Sequence, residues 1–222
     1  MKKRILSLAT VLFIGGSVVL TSCGGDEEAP IITLKGDAIE KIDLGSAYTD
    51  AGVTADDNED GDVSANVTND ATTAVDNKKA GKYTVTYKVS DEKANEGTAT
   101  REVWVVVSPK VLVGSYDVVD LVGSSSTPYT DNISTSSAND YSIVCTKFAF
   151  YSNAGVVMEL SGDLGTDVKV AANQTYVSGS TPASRTFAGT GTVAEDGKSF
   201  VINYTETTNG STVTGKGTYT KK

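Results

Sequence analysis

Two turn signals near the C-terminus constrain this chain more than any other feature: Glu195-Asp196-Gly197-Lys198 and Thr208-Asn209-Gly210-Ser211. Asp-Gly and Asn-Gly supply the positive φ angles of two-residue hairpins, so each predicts a tight reversal between antiparallel strands. Counting outward from the first turn pairs Val193 with Phe200, Gly191 with Ile202 and Gly189 with Tyr204. The second independently pairs Tyr204 with Gly215, Ile202 with Gly217 and Phe200 with Tyr219. Large residues of the middle strand thus lie between glycines on both neighbours. One face carries Phe187, Val193, Phe200, Ile202, Tyr204, Val213 and Tyr219, while Thr190, Thr192, Asn203, Thr214, Lys216 and Thr218 line the other. Glycines beside aromatics permit strong curvature, as in a barrel or a tightly bent sandwich. The expectation is a three-stranded meander in this register, because a one-residue slip would turn every apolar side chain to the wrong face.

The rest of the chain agrees with an all-β fold. It is rich in Thr, Ser, Gly and Val, poor in Leu and Met, and Tyr is its dominant aromatic, the profile of strands and turns. A composition shift near Ser108-Pro109 divides it into an N-terminal β-sandwich over residues 30–108 and a C-terminal antiparallel meander, barrel or sandwich, over residues 111–222. The short Ser108-Pro109-Lys110 junction predicts limited hinge motion.

Lys2, Lys3 and Arg4 precede an apolar stretch from Ile5 to Leu20 that Gly15 and Gly16 interrupt, which is the architecture of a secretory signal over residues 1–22. The run is short of the length that usually spans a bilayer as a helix. Leu20-Thr21-Ser22-Cys23 resembles the lipobox of bacterial lipoproteins. The resemblance implies diacylation of the Cys23 thiol, cleavage before it and a lipidated leader over residues 23–29, with the membrane as first partner. Several acyl chains together hold a protein at a bilayer essentially permanently. Asp26-Glu27-Glu28 is similar to the acidic surface-export tag of Bacteroidetes lipoproteins, with a solvated acidic linker as the alternative reading. The absence of an aspartate directly after Cys23 fits sorting to the outer membrane, again by resemblance.

Removing residues 1–22 takes away three basic and no acidic side chains, so the formal charge moves from −9 to −12. An acidic chain without basic clusters argues against nucleic acid and against electrostatic docking on anionic lipid. With Cys23 consumed by lipid, Cys145 has no partner for a disulfide, and its apolar surroundings place it in a core. The chain has no histidine, which removes His-based triads, the usual Cys-His pair and every His-containing metal site. Carboxylate chemistry remains open, but an enzyme is the least favoured class, because the acidic residues fall mostly in turns and no pair is placed across a predictable cleft.

Pro30 to Val107 reads as about seven short strands. In Tyr83-Thr84-Val85-Thr86-Tyr87-Lys88-Val89 the odd-numbered residues share an apolar face, the mark of a half-buried antiparallel strand. Three spaced segments, Ala47 to Ala55, Ala80 to Asp91 and Arg101 to Val105, with the acidic stretch Asp57 to Val63 between the first two, resemble the bacterial Ig-like repeat first named from an insecticidal crystal protein. The family's usual Gly-Asn turn is replaced here by Glu92-Lys93-Ala94-Asn95. The resemblance implies an Ig-like sandwich serving as a spacer or presentation module.

Asp56, Asn58, Asp60 and Gly61 satisfy the first half of a D-x-N-x-D-G calcium loop, and with Asp62 they form the candidate metal ligands. The second half fails, since Val67 stands where a bidentate glutamate is needed, so the segment reads alternatively as an inter-strand turn. No other cofactor is expected.

In the second domain, Gly123 to Asn139 reads as a Ser/Thr-rich loop with Tyr129 near its middle, followed by strands at Tyr141 to Tyr151, Val156 to Leu160, Val168 to Ala172 and Thr175 to Ser178. Gly114 and Tyr116 near its start resemble the opening of lipocalin-like barrels. Tyr129, Tyr176 and Trp104 are the candidate ligand-binding aromatics, while Phe148, Phe150, Phe200 and Tyr204 are expected in the core. The expected function is a lipid-anchored, surface-exposed outer-membrane protein capturing a glycan or nutrient. The alternative is a structural or adhesive presenter with no small ligand, contacting an outer-membrane partner protein. A monomer is the default, because no coiled coil or long exposed apolar strand is evident.

Overall fold

The computed structural model describes residues 25–151, 154–172, 174–178 and 183–222. Cys23 and the signal segment lie outside the described residues.

The first seven strands are β1 Ile31–Leu34, β2 Ile39–Asp43, β3 Val53–Asp57, β4 Gly61–Asp62, β5 Thr68–Asn69, β6 Gly81–Ser90 and β7 Glu96–Val106. They form two sheets, β1-β3-β4 and β2-β7-β6-β5, with β2 running parallel to β7 along one edge. Period-two alternation brings Val85 and Tyr87 of β6 and Val103 of β7 into one core, where Ile32, Leu34 and Val53 of the other sheet meet them. The core is thin, and its largest fully buried side chain is charged. Arg101 donates from Nη1 to Glu40 (2.7 Å) and Asp50 (2.9 Å), and from Nη2 to the carbonyls of Lys35 and Gly52. Tyr87 donates its hydroxyl to the same Asp50 oxygen at 2.5 Å.

The second group comprises β8 Gly114–Val122, β9 Ser125–Thr135, β10 Ser142–Cys145, β11 Val156–Ser161, β12 Asp167–Val170, β13 Thr175–Ser178, β14 Ala183–Val193, β15 Ser199–Thr208 and β16 Ser211–Lys221. Sequential neighbours pair from β8 to β12 and from β13 to β16. Pairing of β16 with β8, and of β12 with β14 at Asp167–Lys169 against Thr190–Thr192, closes eight of the strands into a barrel, and β13 covers the remaining edge of β14. Eight strands enclose a space that side chains can fill. They do so here: Phe200 stacks on Tyr219 (centroids 4.2 Å apart), and Phe148 meets Phe187 and Tyr204 at 5.0 Å each. Glycans or nutrients therefore have no interior calyx to enter among the described residues.

The meander has the expected register. Gly189, Gly191, Gly215 and Gly217 sit opposite Tyr204 or Ile202 as counted from the turns. Curvature brings these strands so close that a Cβ on Gly191 would lie 1.7 Å from the Val201 carbonyl oxygen, and one on Gly215 2.3 Å from the Tyr204 ring.

Three expectations need correction. The segment expected as a loop is β9, in which Tyr129, Asp131 and Ile133 point inward. Threonine is β-branched and suits a strand, and Pro128 is tolerated because β10 pairs only with Ile133–Thr135, leaving the other end of β9 with one neighbour. The long strand expected over Tyr141–Tyr151 stops at Cys145. Positive φ at Ala149 (50°) and Phe150 (68°) turns the chain so that Phe148 and Tyr151 exchange backbone hydrogen bonds, which leaves Phe150 exposed rather than in the core. Val213 shares the inward phase but sits at the open end of the barrel and is 46% exposed.

The two groups of strands join tightly through the one-turn helix Pro109–Leu112. Ala80 N–H donates to the Glu195 carbonyl (2.7 Å) and Val107 N–H to that of Leu164 (2.8 Å), while Lys82 pairs with Asp163 at 2.7 Å. Leu44, Ala80 and Val107 pack into the barrel's own apolar cluster. The junction is thus a packed seam.

Candidate functional site

The Glu195–Lys198 hairpin touches the first domain, so the other end of β15 and β14 is the end facing away from it. There, charged residues stand in phase with the barrel's inward apolar positions. Asp120 follows Tyr116 and Val118 along β8, Glu206 follows Ile202 and Tyr204 along β15, and Arg185 precedes Phe187 on β14. Alternation aims all three inward at the level where the apolar filling ends.

They meet in a cleft of about 330 Å3, bounded also by Tyr151, Tyr204, Thr208 and Val213. Glu206 Oε1 accepts from the Arg185 guanidinium, the Tyr151 hydroxyl (3.2 Å) and the Thr208 hydroxyl (3.0 Å). The guanidinium lies over the Tyr151 ring, 4.2 Å from its centroid. Both Asp120 oxygens accept from the Tyr204 hydroxyl, at 3.0 and 2.9 Å. Burial raises the Asp120 carboxyl above its ordinary value; the Tyr204 hydrogen bond opposes this, and the negative Glu206 adds to it. Arg185 Nε is buried without a hydrogen-bond partner. An aromatic ring, a guanidinium, two carboxylates and hydroxyls thus converge on one concavity, and each carboxylate already accepts a hydrogen bond.

A larger open saddle of about 640 Å3 lies on the outer wall, along Leu121, Thr190, Asn203, Thr214 and Lys216. It offers scattered polar groups, and only Lys216 among its lining side chains carries charge.

The structure does not bring the three aromatics expected as ligand-binding together. Tyr129 is buried and shares a hydrogen bond of 3.3 Å with Tyr219. Tyr176 packs on Phe187, with its hydroxyl donating to Gln174. Trp104 lies on the outer face of the first domain between Lys41 (4.6 Å) and Lys82 (4.0 Å), and donates to Glu102. The sequence signal for the rim cleft is the phase of these charged residues, Asp120, Arg185 and Glu206, which stand where the strand alternation points inward.

The four loop residues expected to hold metal are also separated in role. Asp56 points outward opposite Asp62 across the β3–β4 pair, Asn58 is exposed, Asp60 accepts from Glu92 N–H (2.7 Å), and Asp62 accepts from Ser64 N–H (2.9 Å). Among the described residues, the acids within ligating reach of one another are instead Asp26, Asp57 and Asp91.

Residues 32–105 match the family model described as "Bacterial surface protein, Ig-like domain". The N-terminal sandwich is accordingly an Ig-like domain of the bacterial surface-protein type. A comparison with curated proteins gives no match. Among solved structures, the chain is similar to the lipoprotein BT2262 from Bacteroides thetaiotaomicron, with 17% identity and TM-score 0.32, covering 85% of this chain and 98% of that one. It is also similar to CBM51-2 in complex with GlcNAc and INT domains from Clostridium perfringens ZmpB, with 16% identity and TM-score 0.28, over 86% of this chain and 44% of that one.

Proposed function

We infer that this is a lipid-anchored protein of the outer membrane, facing outward, which captures a sugar or similar hydroxylated ring in the rim cleft, with the Ig-like domain as its spacer. The observation that carries the reading is the convergence of Tyr151, Arg185 and Glu206 in a concavity at the barrel's far end. A sugar presents an apolar ring face to an aromatic and its hydroxyls to carboxylates and guanidinium, and the cleft supplies both kinds of surface. Anchoring at Cys23 would place the Ig-like domain nearest the membrane. The cleft would then stand a further barrel length away, roughly 30 Å for a ten-residue strand.

The test is a glycan-array screen of the full-length chain in detergent, followed by titration calorimetry on any hit. Tyr151→Ala and Arg185→Met should each weaken binding at least tenfold, and Lys216→Ala on the outer saddle should leave it unchanged. A second reading, a presenter with no small ligand, is favoured by the filled barrel and the packed seam. No hit on any array, with the barrel shown to be folded by amide hydrogen exchange of its strands, would favour that reading over the first.

A further inference from the structure

The cluster of Asp26, Asp57 and Asp91 joins three separate parts of the chain. Asp57 ends β3, Asp91 follows β6, and Asp26 belongs to the leader before β1. One oxygen from each carboxylate lies within 4.8 Å of the other two. Oxygens bound to one Ca2+ at 2.3–2.6 Å stand at most about 5 Å apart, so the spacing is that of a shared coordination sphere. Asp57 is only 5% exposed. Its Oδ1 accepts from the N–H groups of Glu59 and Asp60, both at 3.0 Å, while its Oδ2 is buried with no hydrogen-bond partner. Asp26 repeats the pattern: Oδ1 accepts from Glu28 N–H, and Oδ2 is buried without a partner. Two orphaned, buried carboxylate oxygens within a group of three acids are costly unless a cation balances them.

We propose that Asp26, Asp57 and Asp91 bind one Ca2+ ion, which clamps the leader onto the turn between β6 and β7. The donors are hard oxygens with no sulfur or imidazole among them, the set that suits calcium rather than zinc or copper. The leader is already guided there. Asn95 donates from Nδ2 to the Asp26 carbonyl (3.1 Å) and to Asp91 Oδ2 (2.6 Å), and the Pro30 carbonyl lies where a Cβ on Gly97 would approach to 2.1 Å. Asp91 also borders an acidic hollow with Asp60, Asp62 and Glu92, through which water can complete the coordination. Since Asp26 is three residues after Cys23, the ion would fix the pose of the first domain against whatever holds the leader. This site stands independently of the rim cleft.

The experiment is thermal denaturation of the full-length chain in detergent, followed by the fluorescence of its single tryptophan, Trp104, in calcium, in magnesium and in chelator. Calcium should raise the midpoint of the first domain by several degrees over chelator, with magnesium giving less, because a ligand specific to the folded state stabilises it. Asp57→Asn should remove that shift. Asp26→Asn lies outside the sheets, so it tests the site without threatening the fold, and should weaken calcium affinity at least tenfold by calorimetry. Asp62→Asn should leave both readouts unchanged. No calcium shift, an equal shift in magnesium, or a shift undiminished in Asp26→Asn would overturn the proposal.

Discussion

The two domains solve the same problem with opposite materials. The barrel closes on itself, leaves no long edge, and fills its interior with Phe148, Phe187, Phe200, Tyr204 and Tyr219. The Ig-like domain has open sheets and few large apolar residues, and at its centre it buries a guanidinium whose four partners come from three stretches of chain. Truncating one buried aromatic leaves an apolar cavity into which its neighbours can partly collapse. Breaking a buried ion network leaves each remaining partner as an unpaired charge. Replacing Arg101 by Met should therefore have the largest effect, about 3–5 kcal/mol, and should unfold the first domain while the barrel persists. Trp104 fluorescence and amide hydrogen exchange of strands β8–β16 would separate the two transitions. A single joint loss would break the comparison.

The barrel nevertheless contains a charge of its own. Asp131 is 1% exposed, and burial pushes its carboxyl up to about 6, against the hydrogen bonds it accepts from Lys147 and Asn132 N–H. Its second oxygen has no hydrogen-bond partner, and Cys145 lies beside it. A folded-state value above the unfolded one means that the folded protein holds the proton more tightly. Barrel stability should then fall as pH rises from about 4 to about 6 and stay reduced above that. Asp131→Asn keeps the shape and removes the charge, so it should stabilise the barrel at neutral pH by up to about 3 kcal/mol and reduce that slope to the part that the raised Asp120 carboxyl contributes. Urea denaturation at several pH values would show both, and a mutant that keeps the slope would place its origin elsewhere.

Next in size is Gly215→Ala. The added Cβ meets the Tyr204 ring at 2.3 Å, and that ring carries the hydroxyl bonded to Asp120 at the cleft. Overpacking of this kind costs about 2 kcal/mol. Because the displaced ring is a wall of the cleft, any ligand found for it should also bind more weakly. Loss of stability with unchanged affinity would detach Tyr204 from the site.

How much of this was legible follows from which residues carry local information. The β14–β16 register was readable because Asp-Gly and Asn-Gly turns fix pairing by counting, and the glycine–aromatic facing came with it. The Ig-like strands were readable from alternation and spaced motifs. Strand β9 was not, because Ser and Thr serve both loop and strand, and burial of Tyr129 and Asp131 depends on neighbours distant in sequence. Cleft and acidic cluster were hidden for a related reason. Asp57, Arg101, Asp120, Asp131, Arg185 and Glu206 all stand on inward or buried faces, where a charged residue type by itself signals an exposed position and only strand phase signals burial. Asp26 offered no periodic signal at all, since the leader joins the cluster only through tertiary contact.

The smallest effect belongs at the seam, where the two strategies meet. Lys82 bridges them: its ammonium stands 4.0 Å from the Trp104 ring centroid in one domain and 2.7 Å from Asp163 in the other. Both charged groups are substantially exposed, so the pair adds little to the stability of either domain, and salt weakens it further. The seam itself rests on Leu44, Ala80 and Val107 and on two backbone hydrogen bonds, none of which involves the Lys82 side chain. Lys82→Met should accordingly change the Trp104 emission, by removing the cation above the ring, without separating the two unfolding transitions at moderate salt. If the transitions move apart, the exposed ion pair couples the domains and the apolar seam does not, which would reverse the assignment of what holds the molecule together.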